Sequence, residues 1–539
     1  MKPPRNRNPS KKGHIETVAC EMRHMKTDSE KKSNRLTDDI DPSFLTLAGD
    51  VLTACQSYWI GVYRYTNEFM LPYWTALNAF QTTESDKLVR HHPIETLKDY
   101  HELFKFNLQV AEKGMISSLT GMNDYHTATA TRAFNAMLNS IEKGKCEDFS
   151  AFMAKEAALL EKVVYTYPRA IRAIEPEYGF HFEDGGYHKI AETDRFTVYQ
   201  VLPRNGAAVR ANGKPILIIP PYVLGANILA FLPGENKSYA HAYANQGIPT
   251  YIRVIKDIDT TPAVQTLTGE DDVLDTRFFC ERIKAIHGKS VTLNGFCQGG
   301  FIAVSGILSG ELDGVVDAVI TCVAPIDGTR SKALIEYMQH LPPRFRDLGY
   351  AVMDLPNGNR VVDGKVMSWV YKLKSMEKEA PVHTFYRDLM MFGRNGDIDF
   401  KISKTAAAIN HWLIYDRNDL PEDITKMSFD SYTIPIGKDG TLPFNLFGRK
   451  LTFKRLKEKP MPYLICYGKE DDLVDQEAAL APLDFIKVEV TGFPKGHGAI
   501  ATSWSNPQSA FALQKRFEDG SRGPVRFQLD LEEKKEKKE

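Results

Sequence analysis

The chain has 539 residues, too many for one compact core, so two or more units are expected. Its formal net charge of −1, from 68 Lys and Arg against 69 Asp and Glu, leaves no global basic field and argues against nucleic acid as a partner. Its cysteines (Cys20, Cys55, Cys146, Cys280, Cys297, Cys322 and Cys466) are odd in number and include neither a CxxC pair nor a Cys/His cluster, which argues against a disulfide framework and a structural metal.

In chain order, residues 1–38 read as a flexible basic tail. They have no apolar run of the secretory kind, so a cytoplasmic protein is expected. Residues 39–173 carry helical periodicity. Phe134, Met137, Leu138 and Ile141 share one helix face, Leu97, Tyr100, Phe104, Leu108 and Ala111 make a second stripe, and Phe152, Leu159 and Val163 suggest a third. The stretch from Tyr58 to Phe80 is rich in aromatics and reads as bundle core, or else as an amphipathic surface for a hydrophobic polymer or partner. After about 174 the texture becomes strands alternating with helices. Apolar runs at 196–202, 215–220, 250–255, 290–296, 318–323, 463–467 and 485–490 predict a mostly parallel sheet covered on both faces. The uncharged stretch 215–234 contains Pro220, Pro221, Gly225, Asn227 and Pro233, so it reads as a buried strand and loop and not as a transmembrane span. A long, mostly helical insertion at about 326–459 predicts a cap within a catalytic domain of 174–518. The last residues, 519–539, read as a charged, solvated tail.

The densest chemical signal is the run VTLNGF leading into Cys297 and followed by Gln298-Gly299-Gly300 and an apolar helix. This predicts a nucleophile elbow, the GxSxG turn with sulfur in place of oxygen. Gly295 and Gly299 flank the strained central residue, and Gly300 allows close strand–helix packing. A helix N-terminus favours a thiolate, and the backbone N–H of Gln298 is placed as one oxyanion donor. Farther on, a strand ends in Gly468-Lys-Glu-Asp-Asp-Leu-Val. Spacing selects Asp471 as the acid, with Asp472, Asp475 and Glu470 as competitors. A glycine-rich loop then presents His497. Nucleophile, acid and histidine follow one another as in α/β-hydrolases. The second oxyanion donor is expected near Tyr222 or Val223, after an early strand, since the preceding prolines have no N–H.

These residues resemble the polyhydroxyalkanoate synthases of the α/β-hydrolase superfamily. Gly295-Phe-Cys-Gln-Gly-Gly matches that family's G-x-C-x-G-G box, Pro220-Pro221-Tyr222 is similar to its PP-aromatic loop, and Gly496-His497 to its GH motif. Trp412 to Pro421, with Asp416 and Leu420-Pro421, looks like part of its cap. Two positions depart from the family pattern: Asp475 replaces a usual proline and Gly498 a common isoleucine. The N-terminal helical region is unlike the usual synthase N-domain and similar in pattern to phasins, the helical coats of polyester granules.

The resemblance implies an α/β-hydrolase fold with a helical cap insertion beside the N-terminal all-helical region. It also implies an acyltransferase that polymerises 3-hydroxyacyl-coenzyme A thioesters through Cys297, His497 and Asp471. That chemistry needs no metal or cofactor, since coenzyme A enters as part of the substrate. Self-association as a homodimer, or in an assembly with another subunit, and contact with a polyester granule are further expectations. Two other readings stand beside it. One is a cysteine-triad esterase, thioesterase or polyester depolymerase; the other is a non-catalytic granule-associated protein.

Overall fold

The computed structural model describes residues 49, 51–67, 78, 81, 93–142, 147–332, 335, 348–367, 380–393, 401–501, 503–517 and 520–529. The 1–38 segment and Phe69, Tyr73, Trp74 and Phe80 of the aromatic run lie outside them. The chain divides into two compact units, one within 1–74, 107–170 and 375–402, the other within 75–106, 171–374 and 403–539. Part of the insertion expected to cap the catalytic domain is thus grouped with the N-terminal helices.

The first unit is helical. Residues 51–67, the 107–142 portion of the helix Pro93–Glu142, the helix Glu147–Glu161 and the helix Pro381–Gly393 supply its core. One π-helical turn, Lys162–Thr166, buries Val163 and Val164. The core gathers Tyr65, Tyr125, Leu159, Leu160, Phe385, Tyr386 and Leu389. Gly61 lets the Phe385 ring approach: a Cβ there would lie 2.7 Å from the ring. Polar tips are satisfied, with Tyr58 and Tyr386 hydroxyls 2.7 Å apart and Tyr65 donating to Asp388 at 3.2 Å. The helices form where periodicity places them, but burial differs. Phe134, Met137, Leu138 and Ile141 are exposed, as are Leu97, Phe104 and Leu108, while Leu159 and Val163 are buried. Of the aromatic run, Tyr65 is core and Trp59 and Tyr63 are exposed.

The second unit is built on an eight-stranded sheet. β1 (Tyr187–Glu192) and β2 (Phe196–Val201) pair antiparallel. β3 (Ile216–Ile219), β4 (Thr250–Ile255), β5 (Val291–Phe296) and β6 (Val316–Cys322) follow, and β3 and β5 are buried at every position. Such strands read as unbroken apolar runs because both sheet faces are covered. The insertion then supplies β7 (Val352–Asp354), β8 (Arg360–Val362) and β9 (Leu420–Pro421) as a small antiparallel sheet. It also supplies the pair β10 (Thr441–Leu446) and β11 (Arg449–Thr452). β12 (Tyr463–Gly468) and β13 (Glu489–Phe493) complete the main sheet.

Its order is β1-β2-β4-β3-β5-β6-β12-β13, antiparallel through β2–β4 and parallel from β4 onward. This is the α/β-hydrolase arrangement. The helix Gly269–His287 shows how tightly local signals define the covering layer. Thr268 and Asp271 form a reciprocal capping box at its start, and Gly288, at φ 66°, ends it in the left-handed region. The uncharged 215–234 stretch is β3 and its following loop, and no helix among the described residues is long and apolar enough to cross a membrane.

The mostly helical insertion also contains short strands. Two sequence expectations need correction. The last strand starts at Glu489, not at 485, because a 3-10 turn through Pro482 holds the chain, with Phe485 and Ile486 N–H groups donating to its carbonyl. Residues 520–529 are not a solvated tail: Val525, Phe527 and Leu529 are buried.

Replacing Phe385, fully buried against the rings of Tyr58, Tyr65 and Tyr386, is expected to cost about 3–5 kcal/mol of unfolding free energy as Phe385→Ala, read by urea titration. A change below about 1 kcal/mol would contradict the packing described.

Candidate active site

Cys297 follows β5 and is the N-cap of the helix Gln298–Ser309, with φ 50° and ψ −124°. A non-glycine residue held there is strained, and the surroundings must hold it. They do so by leaving no room for any alternative. A Cβ on Gly299 would lie 2.1 Å from the Ile219 carbonyl oxygen, and one on Gly295 would lie 2.3 Å from Gly300 Cα. A Cβ on Gly300 would meet that of Ala324 at 2.6 Å. Cys297 N–H donates to the Cys322 carbonyl at 2.8 Å. Val323, at the end of β6, is a second strained position, with φ 47° and its N–H donating to Cys466 at 2.8 Å.

Sheet register explains why distant residues meet here. Phe296 lies level with Cys322, and Cys322 with Cys466, while Gly468 is level with Phe493. The loops after β5, β12 and β13 therefore leave the same carboxyl edge of the sheet, where ligands of open α/β sheets bind. Asp471 is reached three residues beyond β12, and His497 four residues beyond β13.

His497 Nδ1 donates to Asp471 Oδ2 at 2.9 Å. The other carboxylate oxygen accepts N–H groups of Leu473 at 3.0 Å and Val474 at 2.9 Å, so the acid is held from both sides. Its competitors are used elsewhere or not bonded to this ring: Asp475 accepts Lys332 N–H at 2.7 Å. Nε2 of His497 has no hydrogen bond of ordinary geometry, yet Cys297 is close enough to act on the ring electrostatically. Bonds between catalytic pairs often tighten only when substrate is present. Cys297 and Asp471 are buried, and Phe296 packs against the imidazole at 5.8 Å between centroids.

The loop donors expected at Tyr222 and Val223 are already occupied. The N–H groups of Tyr222 and Val223 are not open to a substrate oxygen. Both donate to Oε1 of Gln298, at 3.0 and 3.1 Å, and Nε2 of Gln298 donates to Ser428 Oγ at 2.6 Å. The side chain after the nucleophile is long enough to reach the loop and offers the acceptor the two N–H groups need. The backbone N–H of Gln298, first in its helix, has no acceptor within the helix.

Sequence reasoning missed what holds the Tyr222 loop. The Tyr222 hydroxyl donates to Asp272, and Arg253 grips the same carboxylate with two bonds, at 2.7 and 2.9 Å, while stacking on Phe196. Arg253 and Asp272 are both buried. The available signal was an arginine inside the apolar strand run Thr250–Ile255. It also missed the polar cluster beneath the elbow, where Asn294 bonds the Tyr239 and Tyr243 hydroxyls at 2.6 and 2.7 Å. An asparagine amid the apolar strand VTLNGF was the clue. In the Trp412–Pro421 segment, Trp412 donates to the Leu224 carbonyl at 3.1 Å and Asp416 accepts the Tyr178 hydroxyl at 2.8 Å. A cavity of about 120 Å³ lies between that segment and the loop Pro220–Tyr222. Among the described residues, no three His, Cys, Asp or Glu side chains gather as metal ligands would.

No protein-family model and no curated protein matches the chain. Solved structures similar to it include a carboxylesterase of the thaumarchaeon Nitrososphaera gargenis, 13% identical, with a TM-score of 0.32 over 58% of this chain and 92% of the other. The naproxen esterase of Bacillus subtilis is 11% identical, with a TM-score of 0.32 over 64% and 95%. An esterase of a Rhodococcus species is 12% identical, with a TM-score of 0.29 over 59% and 93%. The fold assignment itself rests on the strand order.

Electrostatics give the site a testable signature. Burial alone favours neutral imidazole, but Asp471 and then Cys297 outweigh it and hold the His497 pKa well above the ordinary histidine value. A raised folded-state pKa means this group's stabilisation is complete below about pH 6.5, the unfolded value, and is lost as pH rises through the raised pKa. Asp471→Asn removes the larger attraction and should bring the ring's midpoint to or below about 6.5, read by NMR of labelled histidine. An unchanged midpoint would contradict the pairing.

Proposed function

We propose that the chain is an acyl-transfer enzyme that carries the acyl group of an ester or thioester on the sulfur of Cys297. One observation carries this reading: a cysteine in the strained elbow turn faces an imidazole whose far nitrogen is bonded to Asp471.

The chemistry follows from those atoms. His497 accepts the thiol proton, and the sulfur attacks the carbonyl carbon. The tetrahedral oxyanion is met by the Gln298 N–H at the helix N-terminus. As it collapses, the bond from carbonyl carbon to the leaving oxygen or sulfur breaks, and the leaving group takes the proton from His497. In the second half, His497 removes a proton from the acceptor. The acceptor oxygen then bonds to the acyl carbon as the carbon–sulfur bond to Cys297 breaks, and His497 gives its proton to the released sulfur. Asp471 holds the ring with Nδ1 protonated and stabilises the imidazolium in both halves.

The acceptor distinguishes two products. With water the enzyme is an esterase or thioesterase, which is the simpler reading. With the 3-hydroxyl of another acyl unit it is a polyester synthase of the polyhydroxyalkanoate type. That second reading is favoured by the full Gly295-Phe-Cys-Gln-Gly-Gly box and the Pro220-Pro221-Tyr222 loop. Sulfur suits a thioester donor because thioester-to-thioester exchange is nearly balanced. Granule contact, self-association and a cytoplasmic site belong to the synthase reading.

Purified protein given 3-hydroxybutyryl-coenzyme A should release thiol. Free 3-hydroxybutyrate alone supports the hydrolase, and oligomer supports the synthase. His497→Ala should slow release by about 10²–10⁴-fold. Thiol release unaffected by Cys297→Ala would remove the proposal.

A further inference from the structure

We infer that the Gln298 side chain is the resting occupant of the oxyanion hole, a removable plug that the substrate's carbonyl oxygen must displace. The inference rests on the reading of Cys297 as acyl carrier. Two backbone N–H groups converge on one amide oxygen, with Tyr222 N at 3.0 Å and Val223 N at 3.1 Å from Oε1. Two N–H donors aimed at one oxygen are what an acyl oxyanion requires, and they stand on the loop after β3, where this fold supplies its second donor. Gln298 is itself the residue after the nucleophile, so its main chain offers the first donor while its side chain fills the place of the second.

The plug is a neutral amide oxygen. A ground-state carbonyl meets the donors no better than it does and gains little by replacing it. An oxyanion forms charge-assisted bonds about twice as strong, and wins the exchange. The hole is thus kept in shape without substrate and yields when charge develops. The opposite end of the amide is tied down: Nε2 donates to Ser428 Oγ at 2.6 Å, on the helix Glu422–Thr433. Freeing the donors therefore means breaking that bond as well, which couples opening of the hole to this helix of the insertion. Tyr222 cannot retreat to loosen the plug, since its hydroxyl is bonded to Asp272.

A burst of p-nitrophenolate from p-nitrophenyl butyrate, followed by stopped flow on the full chain, reads acylation directly. Cys297→Ala serves as the blank. With ester below saturation, Gln298→Ala should acylate roughly tenfold faster than the parent, the effect of removing one to two ordinary hydrogen bonds. Ser428→Ala, which keeps Gln298 and releases only its far end, should give a smaller rise. Gln298→Glu, whose carboxylate holds the same N–H groups more tightly, should be slower than the parent. A role in packing alone would slow all three. Slower acylation by both Gln298→Ala and Ser428→Ala, with unfolding midpoints unchanged, overturns the plug. If Gln298→Ala does not fold, Ser428→Ala decides by its sign. A parent burst that neither variant accelerates removes this inference and leaves Cys297 as carrier. No release of p-nitrophenolate above the blank, in a burst or in steady turnover, removes both.

Discussion

The backbone of Cys297 carries a conformation that only its surroundings make tolerable, and much of the second unit is arranged to keep it there. With φ at 50°, the residue costs of order 1–3 kcal/mol relative to relaxed backbone. Three glycines bring the strand, the helix and the neighbouring β3 carbonyl into contact distances that no Cβ would permit. The Cys297 N–H is tied to β6, and the end of β6 is tied to β12. The sulfur is thereby lifted off the sheet edge and set at the start of a helix, while loops from β12 and β13 bring the acid and the imidazole to the same edge.

Beneath and beside that turn lie two buried polar groupings that a purely apolar core would not need. Asn294 with Tyr239 and Tyr243 sits under the elbow, and Arg253 with Asp272 and Tyr222 stands behind the oxyanion loop. The Asn294 group is bonded within itself, and Arg253 is bonded to Asp272 through both terminal nitrogens while its Nε finds no partner. An ion pair as buried as Arg253–Asp272 is weak evidence for stability. Its contact with Tyr222 explains its place here, because it holds the loop whose N–H groups face the Cys297 helix. Gln298 closes the arrangement by bonding those same groups.

Much of this was legible in the sequence, for reasons that can be named. The parallel strands are unbroken apolar runs, so five of the six parallel ones were placed within about two residues. The elbow announces itself by glycines that geometry demands. What escaped notice shares a different cause. β1 is an edge strand of mixed polarity, YHKIAE, with no apolar signature. The exposed faces of the long N-terminal helix show that periodicity detects a helix but not what covers it. Val525, in the 3-10 turn Pro524–Arg526, and Phe527 and Leu529 just after it are buried, but the charged residues that follow masked them. The backbone N–H groups of Tyr222 and Val223 follow an apolar strand that the sequence announces, yet their occupancy by a side chain 75 residues away depends on tertiary contact alone.

The central claim is that an acyl group resides on one sulfur among several. Mass-spectrometric peptide mapping after brief exposure to a thioester substrate tests it most directly. The acyl mass is expected on the peptide bearing Cys297, and absent from those bearing Cys280, Cys322 and Cys466, which are also buried free thiols. An acyl adduct confined to any other residue would contradict the account.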